Sequence, residues 1–237
     1  MPPREPDARV ISIGTLAAHP LRHEAPNTRT GHATTTLVRS ADRVILIDPG
    51  LPAEALVPRL GERTGLRPSQ ITDVFLTSFH PDCRRALPAF ESARWLIAAP
   101  EREGVGVPMA ALLRASESDP DADDALDPDA RDALLRDVAI LQRCQPAPDA
   151  PAPGVSLFPL PGVTPGLTGV LIAGSRHTTL ICGDAIPTPE HLEEGKILPR
   201  ATDLDQAKES MVEAIEIADL LILGRDNLVV NPTKRAF

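Results

Sequence analysis

The sequence predicts a mixed fold of the α/β (α+β) class with extensive β-sheet. Nine short runs rich in aliphatic and β-branched residues recur along the 237 residues, and four segments between them carry apolar residues at three- and four-residue spacing. Strand patterns that alternate with helical patterns are typical of sheets covered by helices. A chain of this length has room for one large domain or two small ones with a substantial core.

The predicted strands are short and distributed along most of the chain. They are Val10–Ile13, Thr34–Arg39, Arg43–Ile47, Ile71–Leu76, Arg94–Ala98, Val155–Leu160, Gly169–Ala173, Thr178–Cys182 and Leu220–Leu223. The predicted helices are Ala53–Glu62, Pro81–Phe90, Asp129–Gln142 and Asp203–Ala218. In the third helix the apolar residues share one face, and Asp129 near its start favours the positive end of the helix dipole.

The segment 115–153 separates two strand-bearing parts of the chain, at about 8–114 and 154–237. It begins with an acidic run at residues 116–124 and ends in a stretch rich in proline and alanine, so its flanks are interpreted as linkers around the third helix. The acidic run is typical of a solvated surface. A lid or a surface that docks a partner is the alternative.

Composition and charge exclude several classes of protein. The 24 basic and 33 acidic residues give a formal net charge of −9, which opposes attraction to nucleic-acid phosphates. No apolar run approaches the length of a membrane span, and the N-terminus lacks the pattern of a secretory signal. Three cysteines, an odd number, do not indicate a disulfide framework. We therefore expect a cytoplasmic protein that binds neither nucleic acid nor membrane.

The segment Ile71–Cys83 is a buried strand that ends in a polar cluster and leads into a helix, which is where α/β proteins place their active sites. Its end reads T-S-F-H-P-D-C and resembles the metal-binding turn T-H-x-H-x-D-H of the metallo-β-lactamase superfamily. His80 and Asp82 match two ligand positions of that turn, whereas Ser78 and Cys83 stand where the family has histidines.

Four further segments resemble motifs of the same family in the same order. Residues 33–51 resemble the paired strands and the aspartate-glycine turn before the metal loop. Residues 160–169 resemble the segment P-G-H-T-P-G-x-x-G, with Val163 in place of the ligand histidine. The pair Gly183-Asp184 resembles the strand end that supplies the metal-bridging aspartate, and Arg225 replaces the histidine of a terminal G-H-D turn.

This resemblance implies a four-layer αβ/βα sandwich with two facing mixed β-sheets. It makes residues 1–237 a single metallo-β-lactamase-like domain, in which the insertion 115–153 joins the two halves. Hydrolases of the family hold two divalent metals, zinc, iron or manganese, that polarise the substrate and generate hydroxide near neutral pH.

The substitutions predict a degenerate metal site and a pseudoenzyme. Of seven ligand positions, only His80, Asp82 and Asp184 are kept. We expect either no cofactor or one divalent metal (zinc, iron or manganese). Removal of metal from a cluster of aspartates leaves like charges unneutralised, which is costly unless another cation replaces it. We therefore hypothesise that Arg225 pairs with Asp184 or Asp82.

Two other functions remain open from the sequence. The first is a mononuclear metal-dependent hydrolase of an ester, lactone, thioester or phosphoester, with one metal on Asp82, Asp184 and Cys83 or His80. In that enzyme Asp82 would be catalytic and orient the attacking water. The second is a non-catalytic binding or oligomerisation module. The expected partners are an unidentified small molecule and further copies of the chain.

Overall fold

A computed structural model describes residues 5–118 and 126–234 of the chain. Most of the acidic run at 116–124 lies outside the described residues. The strands within the described ranges are β1 (Asp7–Ser12), β2 (Thr35–Ser40), β3 (Arg43–Ile47), β4 (Asp73–Leu76), β5 (Arg94–Ile97), β6 (Gln145–Pro146), β7 (Val155–Pro159), β8 (Thr168–Ala173), β9 (Thr178–Ile181), β10 (Leu220–Ile222) and β11 (Leu228–Val230). The helices there are α1 (Ala53–Thr64), α2 (Pro81–Arg84), α3 (Ala99–Ser118), α4 (Pro128–Arg143), α5 (Pro189–Glu194) and α6 (Leu204–Ile217).

The strands form two mixed sheets. In the described part of the chain, one sheet has the order β1-β2-β3-β4-β5-β6 and the other has the order β11-β10-β9-β8-β7. In the first sheet β1 to β3 are antiparallel, and β3 to β6 run parallel. In the second sheet β9 and β10 are parallel neighbours, and the other pairings are antiparallel. The parallel strands β9 and β10 therefore end at the same edge of their sheet.

Neighbouring residues of a strand pack into different apolar clusters, which shows how the layers are stacked. Successive residues of a strand face opposite sides of the sheet. Val74 of β4 belongs to the cluster that includes side chains of α1 and α4, whereas Phe75 belongs to a cluster shared by both sheets. In the second sheet Leu180 of β9 packs with side chains of α6, and Ile181 faces the first sheet. The two sheets thus face each other with helices outside, which confirms the predicted αβ/βα sandwich.

All nine predicted strands exist, with ends that differ by at most three residues. The predicted helix Pro81–Phe90 is wrong in extent. It divides into the short helix α2 and a 3₁₀ turn at Leu87–Phe90, and Pro88 has no N–H with which to continue an α-helix. The described ranges contain no helix long and apolar enough to cross a membrane.

The helix α3 was not predicted, because Gly104, Gly106 and Pro108 all disfavour a helix. Tertiary packing stabilises it, and a Cβ at Gly104 would lie 2.8 Å from Pro165, so only glycine allows this close approach. The two flanks of segment 115–153, interpreted as linkers, contain some regular structure at their outer and inner ends. Residues 115–118 continue α3, and the short strand β6 after α4 pairs with β5.

Close backbone contacts bring the ends of β4, β9 and β10 together. Gly183 follows β9 with φ of 53°, and a Cβ there would lie 2.8 Å from Thr77 Oγ1, just after β4. A Cβ at Gly224, after β10, would lie 2.2 Å from the carbonyl oxygen of Gly183. The Thr168 N–H donates to the Thr77 carbonyl over 3.0 Å and joins the two halves directly. Polar residues after three strands of two sheets therefore converge.

Candidate functional site

Arg225 lies at the centre of this convergence and is 2% exposed. Its Nε and Nη2 donate to Asp184 Oδ1 and Oδ2, both over 2.7 Å, in a two-pronged hydrogen bond. Its Nη1 donates to Asp82 Oδ2, also over 2.7 Å. The sequence predicted a pair with one of these aspartates, and the guanidinium in fact bridges both.

Two further arginines, which were not predicted from the sequence, complete the ion cluster. Arg200 donates through Nη2 to Asp184 Oδ2. Arg85 donates through Nη2 to Asp82 Oδ1 over 3.1 Å and through Nη1 to the carbonyl oxygens of Gly31 and Gly50. Arg85 could have been found from its spacing, because it follows Asp82 by three residues. Arg200 lies in a loop after α5, where no local pattern marks it.

The opposite charges of Asp184 and Arg225 stabilise each other. Burial alone would raise the pKa of Asp184, but the charge and hydrogen bonds of Arg225, together with Arg200, lower this pKa well below its ordinary value. Burial would lower the pKa of Arg225, and Asp184 instead raises it above its ordinary value. Both groups are therefore ionised at neutral pH, and their charges compensate in a site that water scarcely reaches.

His80 begins α2 at the rim of the cluster. Its Nδ1 accepts the N–H of Asp82 over 3.2 Å, a helix-capping interaction. Burial lowers its pKa to about 4, and the positive charges of Arg200 and Arg225 act in the same direction. The ring is therefore neutral at neutral pH, with its proton on Nε2 because Nδ1 is an acceptor.

The side chains of Ser78, Cys83 and Val163 are buried. Cys83 Sγ lies 3.5 Å from Ser78 Oγ, and burial raises the pKa of its thiol well above the ordinary value. Val163 is 2% exposed and belongs to the apolar cluster around α6.

The residues present do not fit a divalent metal ion. Both oxygens of Asp82 and both oxygens of Asp184 accept hydrogen bonds from arginines, so no carboxylate oxygen of the pair is free of a cationic partner. The Arg225 guanidinium lies between the two carboxylates and would repel a nearby cation. Across residues 5–118 and 126–234, no three His, Cys, Asp or Glu side chains are arranged to hold a metal.

A small cleft of about 320 Å³ opens onto the ion cluster. Its polar wall is formed by His80, Asp82, Arg200 and Arg225. Its other walls are apolar and consist of Leu16, Ala17, Ala18, Pro20, Leu198 and Pro199. The cleft therefore offers both charged and apolar lining residues to a ligand of modest size.

Two buried carboxylates hold the loops around the cluster. Asp48, in the turn after β3, accepts the N–H and the hydroxyl of Thr77 over 2.8 and 2.6 Å, and burial raises its pKa to about 7. Glu101 of α3 accepts the N–H of Phe79 and the N–H of Gly166 over 2.9 and 3.0 Å. Glu101 thereby fastens the loop after β4 to segment 160–169. It was missed because α3 itself was not predicted.

A chain of buried polar side chains lies next to the cleft. Thr188 Oγ1 is 3.1 Å from His19 Nε2 and 2.9 Å from His191 Nδ1. His191 is fully buried, and burial lowers its pKa to about 4, with a further contribution from His19. His19 and His191 lie outside the motifs that the sequence shares with the family.

The two facing mixed sheets, and the convergence of strand ends on His80, Asp82 and Asp184, define a protein of the metallo-β-lactamase class. The family model of the metallo-beta-lactamase superfamily matches residues 28–223, and the chain belongs to this superfamily. No curated protein matches the chain.

Similar solved structures support the same fold. A metallo-beta-lactamase-like protein from Thermotoga maritima has 17% identity and a TM-score of 0.66, covering 96% of this chain and 100% of its own. AidC, a dizinc quorum-quenching lactonase, has 20% identity and a TM-score of 0.62, covering 86% of this chain and 80% of its own. AiiA of B. thuringiensis, solved with N-decanoyl-L-homoserine at its active site, has 16% identity and a TM-score of 0.59, covering 92% of this chain and 89% of its own.

Proposed function

We propose that this chain is a pseudoenzyme of the superfamily that needs no metal, because Arg225 replaces the metal. We further propose that it binds a small molecule and does not carry out the metal-catalysed hydrolysis. The observation that carries the proposal is the contact of one buried guanidinium with both Asp82 and Asp184. These are the aspartates that the family resemblance assigns to metal binding.

Energetics favour arginine over a metal at this position. A metal that bridged the two carboxylates would have to break the hydrogen bonds that Arg225 makes to both of them. The guanidinium would then be buried without a partner, and removing one partner of a buried ion pair costs about 3–5 kcal/mol. A guanidinium also stays protonated at any physiological pH, so loss of a proton cannot relieve the repulsion between Arg225 and the metal.

The cleft supports binding rather than a purely structural role. It lies directly over the ion cluster and combines charged and apolar walls. Two similar structures are lactonases, one of which is described as a dizinc enzyme. The proposal implies that this chain keeps a cleft at the same place in the fold but lacks the metal chemistry.

Metal content per chain tests the proposal. The protein is expressed with zinc, manganese and iron supplied, and metal is measured by mass spectrometry for the native chain, Asp184→Asn and the control Asp73→Asn. Asp73 is a suitable control because it is also a buried aspartate paired with two arginines, Arg43 and Arg94, at a different place. We expect far less than one metal per chain in all three proteins.

Near-stoichiometric metal that is lost in Asp184→Asn and kept in Asp73→Asn would overturn the proposal. It would instead support the mononuclear hydrolase. A panel of esters, lactones, thioesters and phosphoesters provides the second readout. We expect no metal-dependent turnover. A chelator should therefore abolish no activity, and added metal should restore none.

A further inference from the structure

We propose that the cleft binds a small organic carboxylate through Arg200 and the Nε2–H of His80, with the apolar part of the ligand against the apolar lining residues. This inference rests on the proposed metal-free function and goes further, because it names the chemical class of the ligand.

The charge balance of the site favours an anion. Three guanidinium groups, those of Arg85, Arg200 and Arg225, contact two carboxylates, those of Asp82 and Asp184. These five groups carry a net charge of +1. A single anionic group on a ligand would neutralise this excess in a partly enclosed space, where charge compensation matters more than in bulk water.

The donors needed for an anion are present and unused. The Arg200 side chain is 36% exposed and lines the cleft, and only its Nη2 has a hydrogen-bond partner among the described residues. Its Nε and Nη1 are therefore available. His80 also lines the cleft, and because its Nδ1 accepts the Asp82 N–H, its Nε2 carries a proton to donate.

The shape and the remaining walls narrow the ligand class. A planar guanidinium matches the two oxygens of a carboxylate, and a net charge of +1 is balanced by a monoanion. The apolar walls, which include Leu16 and Leu198, exclude a fully hydrated inorganic ion as the best ligand, since such an ion would leave these side chains uncovered. A carboxylate with a short apolar chain satisfies both parts of a cleft of about 320 Å³.

The test uses pentanoate as the probe, with pentanamide as its neutral counterpart and inorganic phosphate as a purely polar anion. Binding is titrated by nuclear magnetic resonance on the full chain as purified, and metal content is measured on the same batch. We expect pentanoate to bind in about the millimolar range, as its size allows, and more tightly than either of the other two probes. A preference for phosphate or pentanamide would overturn the inference.

Variants locate the binding. Arg200→Gln is expected to weaken pentanoate binding about tenfold or more, the usual effect of losing a hydrogen bond to a charged group. Arg200→Lys keeps the charge and is expected to bind more tightly than Arg200→Gln. Arg94→Gln is the matched control, because Arg94 is 45% exposed and also pairs with a buried aspartate, Asp73, outside the cleft. Equal affinities for the native chain and Arg200→Gln would refute the assignment.

The two proposals fail in different ways. A metal-free batch that does not bind pentanoate contradicts the carboxylate site and leaves the metal-free function standing. A batch with stoichiometric metal contradicts the proposed function, and pentanoate binding that disappears after chelation would then belong to the metal and contradict the carboxylate site as well.

Discussion

Replacement of Arg225 by methionine tests the central ion cluster most directly. The variant keeps a long side chain but removes all three hydrogen bonds from the guanidinium to Asp82 and Asp184. Asp82 retains Arg85, and its side chain is 19% exposed, whereas Asp184 is 3% exposed and retains only Arg200. The loss should therefore arise mainly at Asp184. We expect the free energy of unfolding to fall by about 3–5 kcal/mol at pH 7, the usual cost of breaking a buried ion pair.

This destabilisation should depend on pH in a defined direction. In the native chain the pKa of Asp184 lies below its ordinary value of 3.8. The stability that the ionised Asp184 contributes is therefore fully present above pH 3.8 and is lost as the pH falls below that value. Without Arg225, burial favours the protonated carboxyl and raises the pKa of Asp184. The folded variant can then take up a proton as the pH falls, which relieves the buried charge. The difference between the two proteins should consequently shrink from pH 7 towards pH 4.

Urea unfolding monitored by circular dichroism at pH 7 and pH 4 measures both effects. The control Arg94→Met removes an arginine that is 45% exposed from Asp73, which keeps Arg43 and the Thr72 hydroxyl, and should cost less than Arg225→Met because water screens the exposed guanidinium. The double variant Asp184→Asn/Arg225→Met should recover much of the loss, since it removes the buried carboxylate that Arg200 alone would otherwise have to neutralise. Equal stability of Arg225→Met and the native chain at pH 7, or a loss that does not change with pH, would refute the reasoning.

Three further predictions concern residues around the cluster. Glu101→Ala should lower the free energy of unfolding, measured with urea, by about 2–6 kcal/mol, because two buried N–H groups lose their acceptor. The control Glu103→Ala, on the exposed face of the same helix, should change this free energy by less than about 0.5 kcal/mol. Gly183→Ala should lower the melting temperature more than Gly195→Ala does, because both residues have positive φ but only Gly183 lacks space for a Cβ; equal shifts would contradict this. The pKa of His191 is lowered to about 4, so this residue should contribute at most about 1.4 kcal/mol per pH unit to the loss of stability as the pH drops from 6.5 towards 4; the free energy of unfolding of His191→Asn should therefore fall less steeply than that of the native chain.

The site residues that could be predicted all follow apolar strands. His80 and Asp82 come after β4, Asp184 after β9 and Arg225 after β10. A short apolar run followed by polar and glycine residues is a local signal, and the order of these signals along the chain indicated the family and the facing sheets. The Arg225 pair could also be anticipated, because buried aspartates without a metal need another cation.

Site residues that lie in a loop, or in a helix that its own sequence disfavours, could not be predicted. Glu101 belongs to α3, a helix that its own glycines and proline disfavour and that packing stabilises. Arg200 reaches Asp184 from a loop, at a separation of 16 residues that carries no periodic pattern. Neither position differs locally from an ordinary charged surface residue.

By itself, the sequence determined the class of fold, the strands and the family, because hydrophobic periodicity and turn residues are local properties that a single chain displays. Only the tertiary structure decided how the charges pair. The contacts of Arg225 with both aspartates, the presence of Arg200 beside them and the buried neutral thiol of Cys83 depend on which strand ends meet. Electrostatic energy depends on distances of a few ångströms and on burial, and both arise when the two sheets pack together.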